Sequence, residues 1–304
     1  MLGLRTRLAC ERGQMLALTA VVAVSVIAMG AFVLDVGSWF RGHRATQAVA
    51  DAAALAGAQA LPGDTASATT VALDYSTRNG GGVQVSDIRF SSNTFANDTI
   101  AVTARRTAAS FLARVLGLGD VDLTATAQAR AYNIAQPYYA APFGISKNEP
   151  FLSGPGCPCY GQTVSWRLNK IGPGGFGVIN IDGSRGGTGP GTLASWIQDG
   201  LGGLMSTGWY YSDPGAKFNS SQVRNAMNAR VGTTLLFPVY DATQGNGANL
   251  QYRVVGWATI HMTGWSAQGS SATITGYLKH LAWQGIPTTS GSNYFGAVVV
   301  KLTG

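Results

Sequence analysis

Residues 15–34 read MLALTAVVAVSVIAMGAFVL, 20 positions without a charged side chain, interrupted only by Thr19, Ser25 and the small Gly30. At about 1.5 Å per helical residue the stretch spans roughly 30 Å, the thickness of a bilayer's hydrocarbon core. The core of a cleaved secretory signal runs about 7 to 15 residues and ends at a small-x-small site. This stretch is longer and has no such ending, so the sequence predicts a retained transmembrane helix with membrane lipid as its first partner. Arg5, Arg7 and Arg12 precede the span, whereas Arg41 and Arg44 follow it. Together with the terminal amine, that balance predicts a short cytoplasmic N-terminus over 1–14 and an extracytoplasmic C-terminal bulk, in a single-pass protein of the cytoplasmic (inner) membrane. Cys10 precedes the apolar run, where a lipidated cysteine would follow it, so no lipid attachment is expected.

The helical signal does not stop at the membrane. Between Trp39 and Leu61 there is no proline, and Ala48, Ala50, Ala52, Ala53, Ala54, Ala56, Ala58 and Ala60 make one of the best helix-forming runs in the chain. A stem helix over 35–61 is expected, closed by Pro62, Gly63 and Asp64. Ala50, Ala54 and Ala58 recur every fourth position, as do Ala52, Ala56 and Ala60, which leaves flat faces for close approach. A partner helix and the protein's own domain are equally suitable occupants of those faces.

The order of residues around the span resembles a known family. Arg12, Gly13 and Gln14 stand before it. Asp35, Gly37, Trp39, Arg44, Gln47, Asp51, Ala52, Ala54, Ala56 and Ala58 follow at fixed distances. The pattern resembles the N-terminal module of TadG-like Flp (Tad) pilus-assembly proteins over roughly residues 11–61. The string FLARVLGL at 111–118, followed by an alternating strand, extends the likeness to about residue 132. The resemblance implies a membrane-anchored structural or assembly component, minor-pilin-like, whose stem meets pilin-like or Tad assembly proteins. Processed pilins carry Glu five positions into the helix, and here that position is Leu18, which favours a retained assembly factor over a fibre subunit. Asp35, a charge at the edge of the span, is expected to snorkel or to pair with Arg41 or Arg44.

Composition bounds the rest. Only 12% of the 304 residues are charged, and 41 are glycine, which suits a turn-rich, β-containing extracytoplasmic body. The formal charge of +7 is scattered and not gathered on one run, so no nucleic acid is expected as a partner. Three cysteines make no disulfide framework. Cys157 and Cys159 leave open a tight local disulfide, two free thiols or half a metal site, a structural turn being the simplest reading.

The fold class expected is α+β: an N-terminal transmembrane helix continuing into the Ala-rich stem, then β-rich mixed domains. A small α+β unit is expected over 62–136, with a helix at 65–75, alternating strands at 83–90, 99–104 and 121–132, and a helix at 108–116. Residues 137–158, rich in Pro and Gly, suggest a linker. A β-rich α+β domain follows over 159–304, with strands at 163–168, 177–181, 233–240, 251–262, 272–281 and 294–302. Helices are expected at 192–204 and 220–231, the latter capped by Asn219 or Ser220.

Signs of chemistry are weak. Gly172, Gly174 and Gly177 satisfy a Gly-x-Gly-x-x-Gly pattern, but a strand follows where a dinucleotide site needs a helix. Asp182, Ser184 and Gly186 miss the second Ser of an Asp-x-Ser-x-Ser metal site, and Arg185 would repel a cation. His43, His261 and His280 stand alone, and Ser195 lacks a nucleophile-elbow setting. No enzyme activity, cofactor, metal or small-molecule substrate is expected. Trp196, Trp209, Tyr210, Tyr211, Trp257, Trp265, Tyr277 and Trp283 concentrate in the distal half, where they serve a β core or, in an alternative reading, a surface adhesin's face for glycan or envelope protein.

Overall fold

The computed structural model describes residues 11–303 apart from 116, 118, 156, 216, 269–270 and 291–293, with the side chains of 11–14 and 271 also left aside. Arg5, Arg7 and Cys10, the side chain of Arg12 and the end of the helix expected at 108–116 therefore lie outside the described residues.

Helix α1 runs unbroken from Glu11 to Ala58, 48 residues or about 72 Å. Helix α2, Thr65–Arg78, starts at Asp64, whose carboxylate accepts the Ser67 N–H at 2.9 Å. Strand β1 spans Ile88–Ser91, β2 Thr99–Ala108 and β3 Val121–Pro137, and the four-residue helix α3, Leu112–Val115, lies in the β2–β3 connection. The strand expected from 83 begins only at Ile88, because Val85–Asp87 form a 3-10 turn closed by reciprocal Gln84 and Asp87 bonds.

The chain then builds β4 Phe143–Ser146, α4 Pro150–Ser153, β5 Thr163–Leu168, β6 Gly175–Val178, α5 Pro190–Asp199 and β7 Gly208–Tyr211. After these come α6 Ser221–Arg230, β8 Thr234–Gln244, β9 Gln251–Gln268, β10 Ser271–Leu278, β11 Leu281–Ala282, β12 Gly285–Thr288 and β13 Ala297–Leu302. Ser220 caps α6. The class is α+β, as the sequence implies.

Two sheets result. The first runs β1-β2-β3-β13-β11, with β12 also on β3. In the second, order β10-β5-β6-β4-β8-β9-β7, β10 bonds to both β5 and β9, so six strands close into a ring with β7 outside it. Closure removes the unpaired edges that an open sheet would present. Phe143, Trp166, Phe176 and Phe237 are fully buried in its core and meet edge to face at 5.4–6.2 Å between centroids.

Two expected boundaries change. Residues 137–158, read from composition as a linker, contain β4, a fully buried strand between β6 and β8. Its short apolar core is hidden among prolines and glycines that serve close approach: a Cβ on Gly144 would lie 2.4 Å from Ile179 Cδ1. The last strand, β13, pairs with β3 and so returns to the first sheet instead of closing the expected 159–304 unit.

The Gly-x-Gly-x-x-Gly segment is the β5–β6 turn, held from below by two buried side chains. Glu149 accepts the Gly174 N–H at 2.8 Å, and the Tyr240 hydroxyl accepts the Gly172 N–H at 3.0 Å. Burial raises the Glu149 carboxyl to about 7, against the pull of the Gly174 bond and Lys170. Between about 4.5 and 7 the folded protein keeps a proton that the unfolded chain has released, so this group's contribution is complete below pH 4.5 and is lost as pH rises to 7. The loss amounts to about 3 kcal/mol at most. Denaturation across that window is expected to show the decline in the parent chain and none of it in Glu149→Gln.

Candidate membrane-anchor site

Helix α1 changes environment along its length. Residues 15–34 project from the folded body with their apolar side chains exposed, Leu16 at 75% and Ile27 at 70%. From Val49 onward the same helix is core: Val49, Ala50, Ala53, Ala54 and Ala58 pack with Ile100, Val102, Ala104, Ala127, Ala129 and Ala131. Small side chains on both partners let helix and sheet approach closely, so dispersion over many short contacts replaces large buried groups.

The β2–β3 hairpin runs alongside the helix as far as the exposed span. Gly57 faces Ile100 and the backbone of Ala68, the Gln47 amide donates to the Thr126 carbonyl at 3.4 Å, and Gly42 faces Leu123 and Ala108. From Asp35 to Gly57 the helix rises about 33 Å, and the ten residues of β2 reach about as far. The hairpin tip thus arrives at Asp35.

There the Asp35 carboxylate, only 2% exposed, accepts three backbone N–H bonds: from Phe111 at 2.6 Å, Leu112 at 2.8 Å and Ala113 at 3.0 Å. These are the donors that open α3 and have no partner within so short a helix. The expected pairing with Arg41 or Arg44 does not form. Both arginines are exposed, and Arg44 lies over the Phe40 ring at 4.8 Å. Asp35 looks outward in the sequence because its partners lie 76 to 78 positions downstream.

The remaining motif residues divide between the two environments. Gly37 is exposed, with open space where a side chain would stand. Trp39 is partly buried and its indole N–H has no partner among the described residues. Gln47 donates to Asp51 at 2.7 Å, one helical turn on. Ala54, Ala56 and Ala58 are buried and Ala52 is half-buried. The Ala50, Ala54 and Ala58 face, suitable in sequence for a partner helix, is already filled by the protein's own sheet. Gly42 and Gly57 carry close contacts that sequence reasoning missed; their signal is a glycine inside an otherwise strong helix former run.

The distal end of α1 is held by a second clasp. The His280 Nε2–H donates to the Gln59 carbonyl at 2.6 Å, its Nδ1 accepts from the Tyr294 hydroxyl, and Tyr294 in turn accepts from Tyr160 at 2.8 Å. Burial lowers the His280 pKa, against the Gln59 bond, and so favours the neutral ring that this chain of donors requires. Because the folded value lies below 6.5, its contribution is present above pH 6.5 and is lost as pH falls. His280→Gln is expected to abolish that acid-side decline. Between pH 4.5 and 6.5 it opposes the Glu149 effect, so each is read in denaturation against its own variant.

Elsewhere, Cys157 and Cys159 are joined in a disulfide. Asp182 accepts the Ser184 N–H at 2.9 Å in a local turn, and Arg185 is turned to Asn249. Among the described residues no group of three or more His, Cys, Asp or Glu is placed to hold a metal. His43 and Ser195 are exposed, and His261 pairs with Thr234 at 3.2 Å. Of the distal aromatics, Trp196 and Trp257 are buried, Trp265, Tyr277 and Trp283 are half-buried, and Trp209 on β7 is exposed beside Arg253.

A helix long and apolar enough to cross a membrane, exposed in its first half and built into an α+β body in its second, is the plan of a single-pass membrane protein carried on one N-terminal helix. Residues 13–60, the same helix and its first turn beyond, match the family model described as "Putative Flp pilus-assembly TadE/G-like". The chain therefore carries a TadE/G-like module, which belongs to an assembly family. No curated protein and no solved structure matches the chain.

Proposed function

We propose that this protein is a retained, minor-pilin-like assembly component of a Tad/Flp pilus system, anchored in the cytoplasmic membrane with residues 1–14 inside and the α+β body outside. The observation that carries the reading is the switch at Asp35: within the matched module, 15–34 is an exposed apolar helix and 49–58 is structural core. A secreted domain has no use for a 20-residue uncharged run exposed at every position but Ala28 and Ala31; an anchor has.

With the Ala faces of the stem occupied, contact with pilin-like partners falls to the membrane half of α1. Gly30 and Gly37 lie seven residues apart on one face, each with open space around it, which suits close helix approach in lipid. In-cell photocrosslinking from Val33 is expected to capture small pilins or Tad membrane proteins, while the same group at Ala54 captures only this chain. Capture of none at Val33, with a cleaved N-terminus by mass, would sink the assembly reading.

A further inference from the structure

We infer that the tip of the β2–β3 connection, Phe111–Val115, is a second membrane contact: a foot that rests in the lipid interface beside the anchor helix. The inference builds on the membrane reading above. Phe111 is 67% exposed and Val115 80% exposed, both on a tip whose backbone is fixed to α1 by the three bonds to Asp35. Exposed apolar residues are ordinary when scattered. Here they stand beside Asp35, where the span 15–34 ends, and Val36 and Phe40, one and five positions further along α1, are exposed as well.

The electrostatics agree with a lipid surface as the occupant. Arg41 and Arg44 are exposed on the helix, about 9 and 14 Å along its axis beyond Asp35, while Arg114 of the foot is neutralised by Asp120 at 2.9 Å. The two helix arginines thus stand at headgroup depth, where they attract anionic lipid, while the apolar side chains of the foot enter the acyl boundary. The buried Asp35 has a reason within this arrangement. Backbone N–H groups cannot be left without partners where water is scarce, and its carboxylate satisfies three of them at the point where the chain turns. A foot beside the helix would fix the tilt of the whole body on the membrane, which a lone helix leaves free.

The test places a nitroxide label singly at Ile27→Cys, Phe111→Cys, Val115→Cys and Val231→Cys, in a Cys10→Ser background. Each full chain is reconstituted in vesicles of phosphatidylethanolamine and phosphatidylglycerol. Collision rates with oxygen, which concentrates in lipid, and with a water-soluble nickel complex are then compared. The expected result is an oxygen-to-nickel ratio several-fold higher at 111 and 115 than at 231, approaching that at 27. Ratios at 111 and 115 equal to that at 231, with 27 in lipid, would overturn the foot alone. Water exposure at 27 would overturn the membrane reading with it. Dipolar broadening between labels at 111 would assign the patch to a second copy of the chain and overturn the lipid assignment.

Discussion

Gly57→Val is expected to destabilise the body by about 3 kcal/mol, the range for forcing atoms into a filled core, and to lower its melting temperature on the order of 10 °C. A Cβ at this position would stand 2.7 Å from Ile100 Cδ1, 2.9 Å from the Ala68 carbonyl oxygen and 3.2 Å from Ala72 Cβ. Ile100 can rotate away, but the Ala68 oxygen is backbone of α2 and can move only if the two helices separate. Since α1 is also the anchor, separation loosens the body from its own membrane helix. Thermal unfolding of the detergent-solubilised chain measures the loss. Gly37→Val is the matched control: it lies on the same helix with nothing within 4 Å, so its fold should melt no lower than the parent's. Equal melting of the two variants would refute the close crossing of α1 and α2.

Trp166→Ala is expected to cost about 4 kcal/mol, in the range for emptying a buried indole site. Trp166 has no exposed surface and sits on β5 between Phe151, at 5.6 Å, and Phe237, at 6.2 Å. Its strand closes the ring through β10, so the vacancy faces two of the strands least able to shift independently. Near-ultraviolet circular dichroism should lose its aromatic signature before the far-ultraviolet strand signal falls. Trp209→Ala, at the one exposed position of β7, should leave stability within about 0.5 kcal/mol of the parent. A Trp166→Ala chain as stable as Trp209→Ala would remove the aromatic core from the account of the second sheet.

Much of the first sheet was legible because its signals are local. Ser220 caps its helix as its position in sequence implies, and β2 and β3 show the alternation that a half-buried strand requires. β4 was not legible: four residues give too short a period to read, and the flanking prolines and glycines carry the usual signature of a loop. The role of Asp35 was legible only by half. Its place at the end of an apolar span marks it as special, but a carboxylate with no neighbour in sequence says nothing of which donors it will meet.

The sequence by itself determined the anchor, the unbroken helix behind it and the resemblance to a pilus-assembly module, because helix length and apolar continuity are properties of consecutive residues. Only the tertiary structure decided that the Ala faces are turned inward, that the last strand returns to the first sheet, that six strands close on themselves, and that Asp35 holds a loop 76 positions away. Those outcomes depend on which surfaces meet, and surfaces of similar small or apolar residues are interchangeable until the chain's connections and the space between them select one pairing.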